Sequence, residues 1–207
     1  MISSLKVFGE RHCGTNAIGY FVGKNFNLEF NRYDFLGWKH RLAPEQAEWK
    51  KFAVENCLFI FCTRNPYSWL KAMHKEPYYE HYPKIKELSF EQFIQFSIED
   101  YENSVAMWNQ KNASYLRMAA EVPNSIIIPV ETFHDSQEKI HGDLQKILKK
   151  PNTQCTPMND YVNGRGLHND KDIESSLAPP DLDQSIIDLI HASLSDEIMD
   201  KCNYQKF

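Results

Sequence analysis

Leu5-Lys6-Val7-Phe8-Gly9-Glu10-Arg11-His12-Cys13-Gly14-Thr15-Asn16 is the stretch on which the fold turns. Its first four residues read as a short strand. Two glycines then bound a loop, and a helix is expected over residues 16–24. Strand, glycine loop and helix in that order open a β-α unit. The same alternation recurs along the chain. Leu58-Phe59-Ile60-Phe61-Cys62 is a continuous apolar run, as expected of a strand buried on both faces. Ser125-Ile126-Ile127-Ile128-Pro129-Val130 is another, in which Pro129 removes a ladder donor and points to a strand end or edge. Phe35-Leu36-Gly37-Trp38 reads as a weaker second strand. Helices are expected over residues 44–55, with Pro44 suited to a helix start, and over 65–75. A long helical region is expected from the Ser89-x-x-Gln92 capping box to about residue 120. Further helices are expected over 134–150 and 184–202. The repeated β-α order predicts an α/β fold, with a mainly parallel sheet flanked by helices on both faces. In such folds ligands bind beyond the carboxyl ends of the strands. The loops after Phe8, Trp38, Cys62 and Val130 therefore carry the functional question.

The chain has 207 residues, 42% hydrophobic and 25% charged, which excludes a disordered or fibrous chain and predicts one domain over 1–207. Lys plus Arg is 23 and Asp plus Glu is 28, a net charge of −5. That balance argues against general nucleic-acid affinity, so an anion would need a local basic cluster. No apolar run approaches the roughly 18–20 residues of a membrane helix. The first residues lack the basic head and apolar stretch of a secretory signal. Five cysteines at scattered spacing, with no C-x-x-C pair, fit neither a disulfide framework nor a zinc site. A cytoplasmic setting is the expectation.

The loop between Gly9 and Gly14 has the Gly-x4-Gly spacing of a P-loop front. Thr15 stands where a P-loop carries the lysine that reaches the β and γ phosphates. Two readings fit the remainder. One is an anion cradle, built from helix-start N–H groups, Thr15 and Asn16, with Arg11 and His12 adding charge. The other is a glycine turn with a helix N-cap. In the third loop, Arg64 directly follows the buried strand and Asn65-Pro66 starts a helix. Such an arginine suits a forked phosphate contact, or a pairing with a strand-end carboxylate. Four of the six arginines, Arg11, Arg41, Arg64 and Arg165, lie in these loops or in the segment around Gly164.

Together the loops resemble the sulfotransferase family that uses 3′-phosphoadenosine 5′-phosphosulfate (PAPS), whose fold is P-loop-kinase-like. His12-Cys13-Gly14-Thr15-Asn16 occupies the positions of the family's Lys-Ser-Gly-Thr-Thr donor loop. Phe61-Cys62-Thr63-Arg64-Asn65-Pro66 matches its strand-Arg-Asn/Asp-Pro signature. Trp38-Lys39-His40-Arg41-Leu42-Ala43-Pro44 is similar to a loose Lys-Thr-His-Leu-Pro, and Val130-Glu131-Thr132-Phe133 to Tyr-Glu-Asp-Leu. The likeness runs from about residue 5 to 204, and its specificity rests on two loops in order and spacing. Three departures stand out. His12 replaces the donor-loop lysine. Ala72 stands where the family has a serine eight residues after the arginine, with Ser68 one helical turn nearer the strand. Asn163-Gly164-Arg165-Gly166 is the one echo of the late Arg-Lys-Gly segment.

The resemblance implies transfer of a sulfuryl group from PAPS to a hydroxyl or amine of a small-molecule or saccharide acceptor, leaving 3′,5′-adenosine bisphosphate (PAP). Arg11, His12, Cys13, Gly14, Thr15 and Asn16 would hold the 5′-phosphosulfate, and Arg64 with Arg165 the 3′-phosphate. His40 would accept the acceptor's proton, since an imidazole titrates near neutrality. His12 or Arg11 would neutralise charge on the departing phosphate. No metal is required, and neither nucleic acid nor membrane is an expected partner. Two other classes fit the loops: a small-molecule kinase, weakened by the missing lysine and the lack of an obvious Mg²⁺ carboxylate pair, and a non-catalytic nucleotide-binding module, favoured by His12 and Ala72.

Elsewhere, His74 and His81 flank Glu76-Pro77-Tyr78-Tyr79-Glu80, which fits a surface segment with snorkelling aromatics better than an acceptor-pocket lining. Phe90, Phe93, Tyr101 and Trp108 fit a core better than a ligand box. His134 and His141 share a helical spacing without a third metal ligand. Cys13 fits a packing residue better than a nucleophile. Glu131 at a strand end either orients a neighbour or is exposed.

Overall fold

The computed structural model describes residues 1–31, 33–77, 82–158 and 181–207. Four strands, β1 (Ser4–Gly9), β2 (Glu29–Asn31), β3 (Cys57–Thr63) and β4 (Ser125–Pro129), form one sheet in the order β2-β1-β3-β4, with every pairing parallel. β3 is buried along its whole length, which explains its unbroken apolar sequence. Strand alternation divides the core. Leu5, Val7, Leu58 and Ile60 pack with Ile18, Phe21 and Val22 of α1 (Thr15–Phe26). Phe8, Phe59 and Phe61 pack on the opposite face with Tyr115 and Met118 of α6 (Ser104–Glu121). The architecture is α/β with helices flanking an all-parallel sheet, as the β-α order predicts. Among the described residues, no helix is long and apolar enough to cross a membrane.

The chain leaves β1 through α1 to β2 on one side, then returns to β3 on the other. That reversal opens a crevice between the carboxyl ends of β1 and β3, the place where open α/β sheets bind ligands. Gly9 pairs with Cys62 there, and Thr63 with Pro129.

Several elements differ from the sequence expectations. Residues 35–38 form turns, because Leu36 and Gly37 take positive φ, which no extended strand accommodates. The second strand is Glu29–Asn31, a short polar edge whose Phe30 alone packs on the core. Residues 44–55 yield only α2 (Gln46–Trp49) and a 3₁₀ turn at Val54–Asn56, since Trp49 is the sole buried side chain of α2 and no apolar stripe extends it. α3 (Pro66–Lys75) forms as expected, followed by α4 (Tyr82–Lys86). The region after Ser89 is split into α5 (Phe90–Gln95) and α6. The Ser104 hydroxyl donates to the carbonyls of Phe93 or Ile94, and the Asn103 side chain caps α6 by accepting from Ala106 N–H. After β4 come α7 (Val130–Phe133) and α8 (Gln137–Leu148), so His134 precedes the helix that carries His141 and the two do not share its face. The last helix is also two, Gln184–Ser193 and Asp196–Lys201, with Asn109 of α6 bonded to both sides of the break.

Phe93, Tyr101 and Trp108 are buried and Phe90 packs beside them, as a core reading requires. The segment around Arg165 and residues 78–81 lie outside the described residues.

Candidate functional site

Gly9 ends β1 where it touches β3: a Cβ there would stand 2.7 Å from the Cys62 carbonyl oxygen. The absence of a side chain lets the loop begin flush against the neighbouring strand. Gly14 adopts φ 69 and caps α1, and a Cβ on it would lie 2.7 Å from Val130 Cγ2. Gly14 has no side chain to cap α1, and among the described residues no side chain accepts a hydrogen bond from the first-turn N–H groups, which carry the positive end of the helix dipole.

Arg64 is brought against this loop. It is buried, its Nη1–H donates to the His12 carbonyl at 3.0 Å, and its Nε–H donates to Ser68 Oγ at 3.1 Å. Its Nη2 makes no hydrogen bond among the described residues. The Ser68 hydroxyl donates in turn to the Asn65 carbonyl, so Ser68 aims Arg64. Among the described residues, Arg64 forms no ion pair with a strand-end carboxylate. Glu131, which follows β4, is buried and orients the loop: Oε1 accepts from Asn65 N–H at 2.6 Å and Oε2 from Tyr204 O–H at 3.0 Å. Burial holds its carboxyl above the usual range, against the opposing effect of those bonds.

The 39–41 turn joins the same crevice. Gly9 N–H donates to the Lys39 carbonyl at 3.0 Å, and His40 Nδ1–H donates to the Gly9 carbonyl at 2.6 Å. The carbonyl can only accept, so Nδ1 carries the proton and Nε2 keeps a lone pair. His40 is 9% exposed. Burial, opposed by the Gly9 bond and reinforced by Lys39, Lys111 and Arg11, lowers its pKa to about 3. Sequence reasoning missed Lys39 as a site residue. Its ammonium donates to Asn16 Oδ1 at the start of α1, and burial lowers its pKa below the usual lysine value. The position beside His40 was the available signal.

The other predicted residues divide. Arg11 is half-buried and its Nη1–H donates to the Pro77 carbonyl at 3.2 Å. His12 takes a positive φ of 63, and its Nε2–H donates to the Glu76 carbonyl at 2.8 Å. Burial lowers the His12 pKa, and Arg11 and Arg64 beside it add to the effect. His12 is thus a neutral donor committed to the end of α3. The cations around the crevice come from Arg11, Arg64 and Lys39. Cys13 is buried, and burial raises its thiol pKa far above the ordinary value, which suits packing and not nucleophilic attack. Thr15 is buried and Asn16 exposed at the helix start. Ala72 is half-buried on α3 and offers no hydroxyl.

Two further groups were not legible as site residues. Glu10 and Lys111 form an ion pair of 2.9 Å behind the loop. A lysine at helical spacing between the buried Trp108 and Tyr115 was the sequence signal for it. Among the described residues, no group of three His, Cys, Asp or Glu side chains could hold a metal ion.

The carboxyl ends of β1 and β3 therefore gather the start of α1, three cationic side chains and one imidazole whose Nε2 is unprotonated. Such a set can hold a phosphorylated or sulfated anion and take a proton beside it. No family model matches this chain, and no curated protein matches it.

Proposed function

We propose that this protein is a sulfotransferase that uses PAPS, on a P-loop-kinase-like fold. The observation that carries the reading is the 3.0 Å hydrogen bond from Arg64 Nη1–H to the His12 carbonyl, which brings the Arg-Asn-Pro loop against the Gly14 loop at the crevice between β1 and β3. Two loops far apart in sequence, each resembling half of one donor site, meet there.

The residues present fit such a donor. The start of α1, whose N-cap Gly14 has no side chain to bond its first-turn N–H groups, would offer those groups to anionic oxygens. Gly14, Thr15 and Asn16 would hold the 5′-phosphosulfate, with Cys13 and His12 shaping the loop. Arg64 would hold the 3′-phosphate through Nη2, with Arg165 a candidate second contact. PAPS supplies an activated sulfuryl group. The chain's own task is to position it, to balance its charge and to receive a proton. Arg11 and Lys39 neutralise charge on the departing 5′-phosphate, the work a P-loop lysine would do. His40 accepts the acceptor's proton at Nε2. Positioning and electrostatics would supply most of the rate, as in phosphoryl transfer. The proposed acceptor is a hydroxyl or amine of a small molecule or saccharide.

Calorimetry with 3′,5′-adenosine bisphosphate, AMP and ATP with Mg²⁺ tests the reading. Selective binding of the bisphosphate is expected. A preference for ATP, or no binding at all, overturns it. A second reading, a non-catalytic nucleotide-binding module, is favoured by one observation. A His40 pKa near 3 makes its imidazole a weak base in the free protein. Tight bisphosphate binding without sulfuryl transfer across an acceptor panel would select that reading.

A further inference from the structure

Glu10 and Lys111 are each 2% exposed and lie on the core side of the loop that follows β1. Glu10 Oε1 accepts from Arg11 N–H at 2.7 Å, while Oε2 faces Lys111 Nζ at 2.9 Å. Lys111 also donates to the His40 carbonyl and lies 5.7 Å from the centre of the Tyr101 ring. His40 in turn donates from Nδ1 to the carbonyl of Gly9, the residue bonded to Glu10. The contacts close into a ring: Gly9, His40, Lys111, Glu10 and back to Gly9. The ring ties the donor loop to the 39–41 turn through a residue of α6.

A buried ion pair is a poor source of net stability, because desolvation offsets much of the attraction. Trp108 and Tyr115 flank Lys111 on the same buried stripe, and a methionine would fill its place with less desolvation. The arrangement gains orientation instead. His40 is gripped twice, at its carbonyl by Lys111 and at its ring by Gly9, and both grips originate from one rigid unit.

We propose that Glu10 and Lys111 are positioning residues, whose buried ion pair fixes the ring of His40 in a single orientation and tautomer with Nε2 unprotonated. The assignment rests on the proposed role of His40 as proton acceptor, but the geometry it predicts is measurable without turnover.

The test uses the full chain labelled with ¹⁵N-histidine and observed by NMR near neutral pH. The wild type is expected to give one His40 signal pair, with Nδ1 protonated and Nε2 bare. Glu10→Gln, nearly isosteric, and the charge-balanced double variant Glu10→Gln/Lys111→Met are expected to show averaged ring nitrogens, as both tautomers become populated. Bisphosphate affinity of Glu10→Gln should stay within about threefold of wild type, because Arg64, Lys39, the start of α1 and the Lys111 bond to the His40 carbonyl are all retained. An unchanged single-tautomer signature in Glu10→Gln overturns the proposal, and this variant decides if the double variant does not fold. A loss of bisphosphate affinity above tenfold also overturns it, since the pair would then support the donor loop as a whole. If wild type fails to bind the bisphosphate, the sulfotransferase reading falls while the ¹⁵N spectra still decide the role of the pair.

Discussion

Lowering the pH from 7 to 4.5 should destabilise this protein through His40, by an amount the site's geometry sets. The imidazole is buried, faces Lys39, Lys111 and Arg11, and titrates at about 3 in the folded chain against 6.5 unfolded. The unfolded state therefore binds the proton more readily. Stability is complete above the unfolded value and falls as pH drops below it, until the folded value is reached. At pH 4.5 the unfolded histidine has passed about two decades of its titration while the folded one remains almost neutral. At 1.36 kcal/mol per decade, the loss from His40 alone is about 2.7 kcal/mol. Urea unfolding followed by tryptophan fluorescence, at pH 7 and pH 4.5, measures it. His40→Asn is the control, because its amide N–H can still donate to the Gly9 carbonyl but does not titrate. Wild type should lose about 2.7 kcal/mol more than His40→Asn over this window. His12, His141 and His191 are also held below the usual range by burial, and their contribution cancels in the difference. Equal losses in the two proteins would refute the placement of a neutral imidazole among these cations.

Arg64→Ala should weaken 3′,5′-adenosine bisphosphate binding by about 10–150-fold in calorimetry, the equivalent of one charge-assisted hydrogen bond of roughly 1.5–3 kcal/mol; equal affinities would remove Arg64 from the donor site. Gly14→Ala forces a Cβ to within 2.7 Å of Val130 Cγ2 at a φ of 69, so a thermal melt should show a loss of at least ~1 kcal/mol together with weaker bisphosphate binding. The native protein should react with iodoacetamide at Cys155, its one half-buried cysteine, and far more slowly at the buried Cys13, Cys57, Cys62 and Cys202, as read by mass spectrometry with and without denaturant. Rapid alkylation of native Cys13 would contradict its packing role.

The legible parts of the fold were those where local pattern and tertiary environment agree. β3 is apolar because both its faces are covered, and α3 carries both an Asn65 cap and Pro66 at its first position. The misread parts were those decided by contacts at a distance. Residues 35–38 look like a strand, but the buried Lys6 donates to the Gly37 carbonyl at 2.6 Å across a turn. Glu29–Asn31 has too little apolar content to announce a strand, yet pairs along β1 because α1 returns the chain there. At the site, the two loop sequences carried most of the information, since spacing and residue type survive in one dimension. Lys39, Glu10 and Lys111 were not legible, because their roles depend on which groups the fold brings within 3 Å of them.

α6 explains why so small a sheet can hold its loops in place. With four strands, the crevice between β1 and β3 has few neighbouring strand ends to buttress it. α6 crosses behind the sheet and reaches two of the loops, after β2 and after β3, with side chains one to two turns apart. Trp108 Nε1–H donates to the Arg64 carbonyl at 2.9 Å, Lys111 donates to the His40 carbonyl, and Tyr115 O–H donates to the Arg41 carbonyl at 3.1 Å. Ser114 Oγ accepts from Ala43 N–H at 2.9 Å. Each bond satisfies a loop backbone group that would otherwise be poorly paired near the core. Because these four side chains sit on one eighteen-residue helix, the loops are referred to a common rigid frame. A lysine after Gly14 would ride on α1, whereas Lys39 arrives from a turn that α6 holds at its neighbour His40. The charge near the start of α1 and the imidazole that would take the proton then move as one piece.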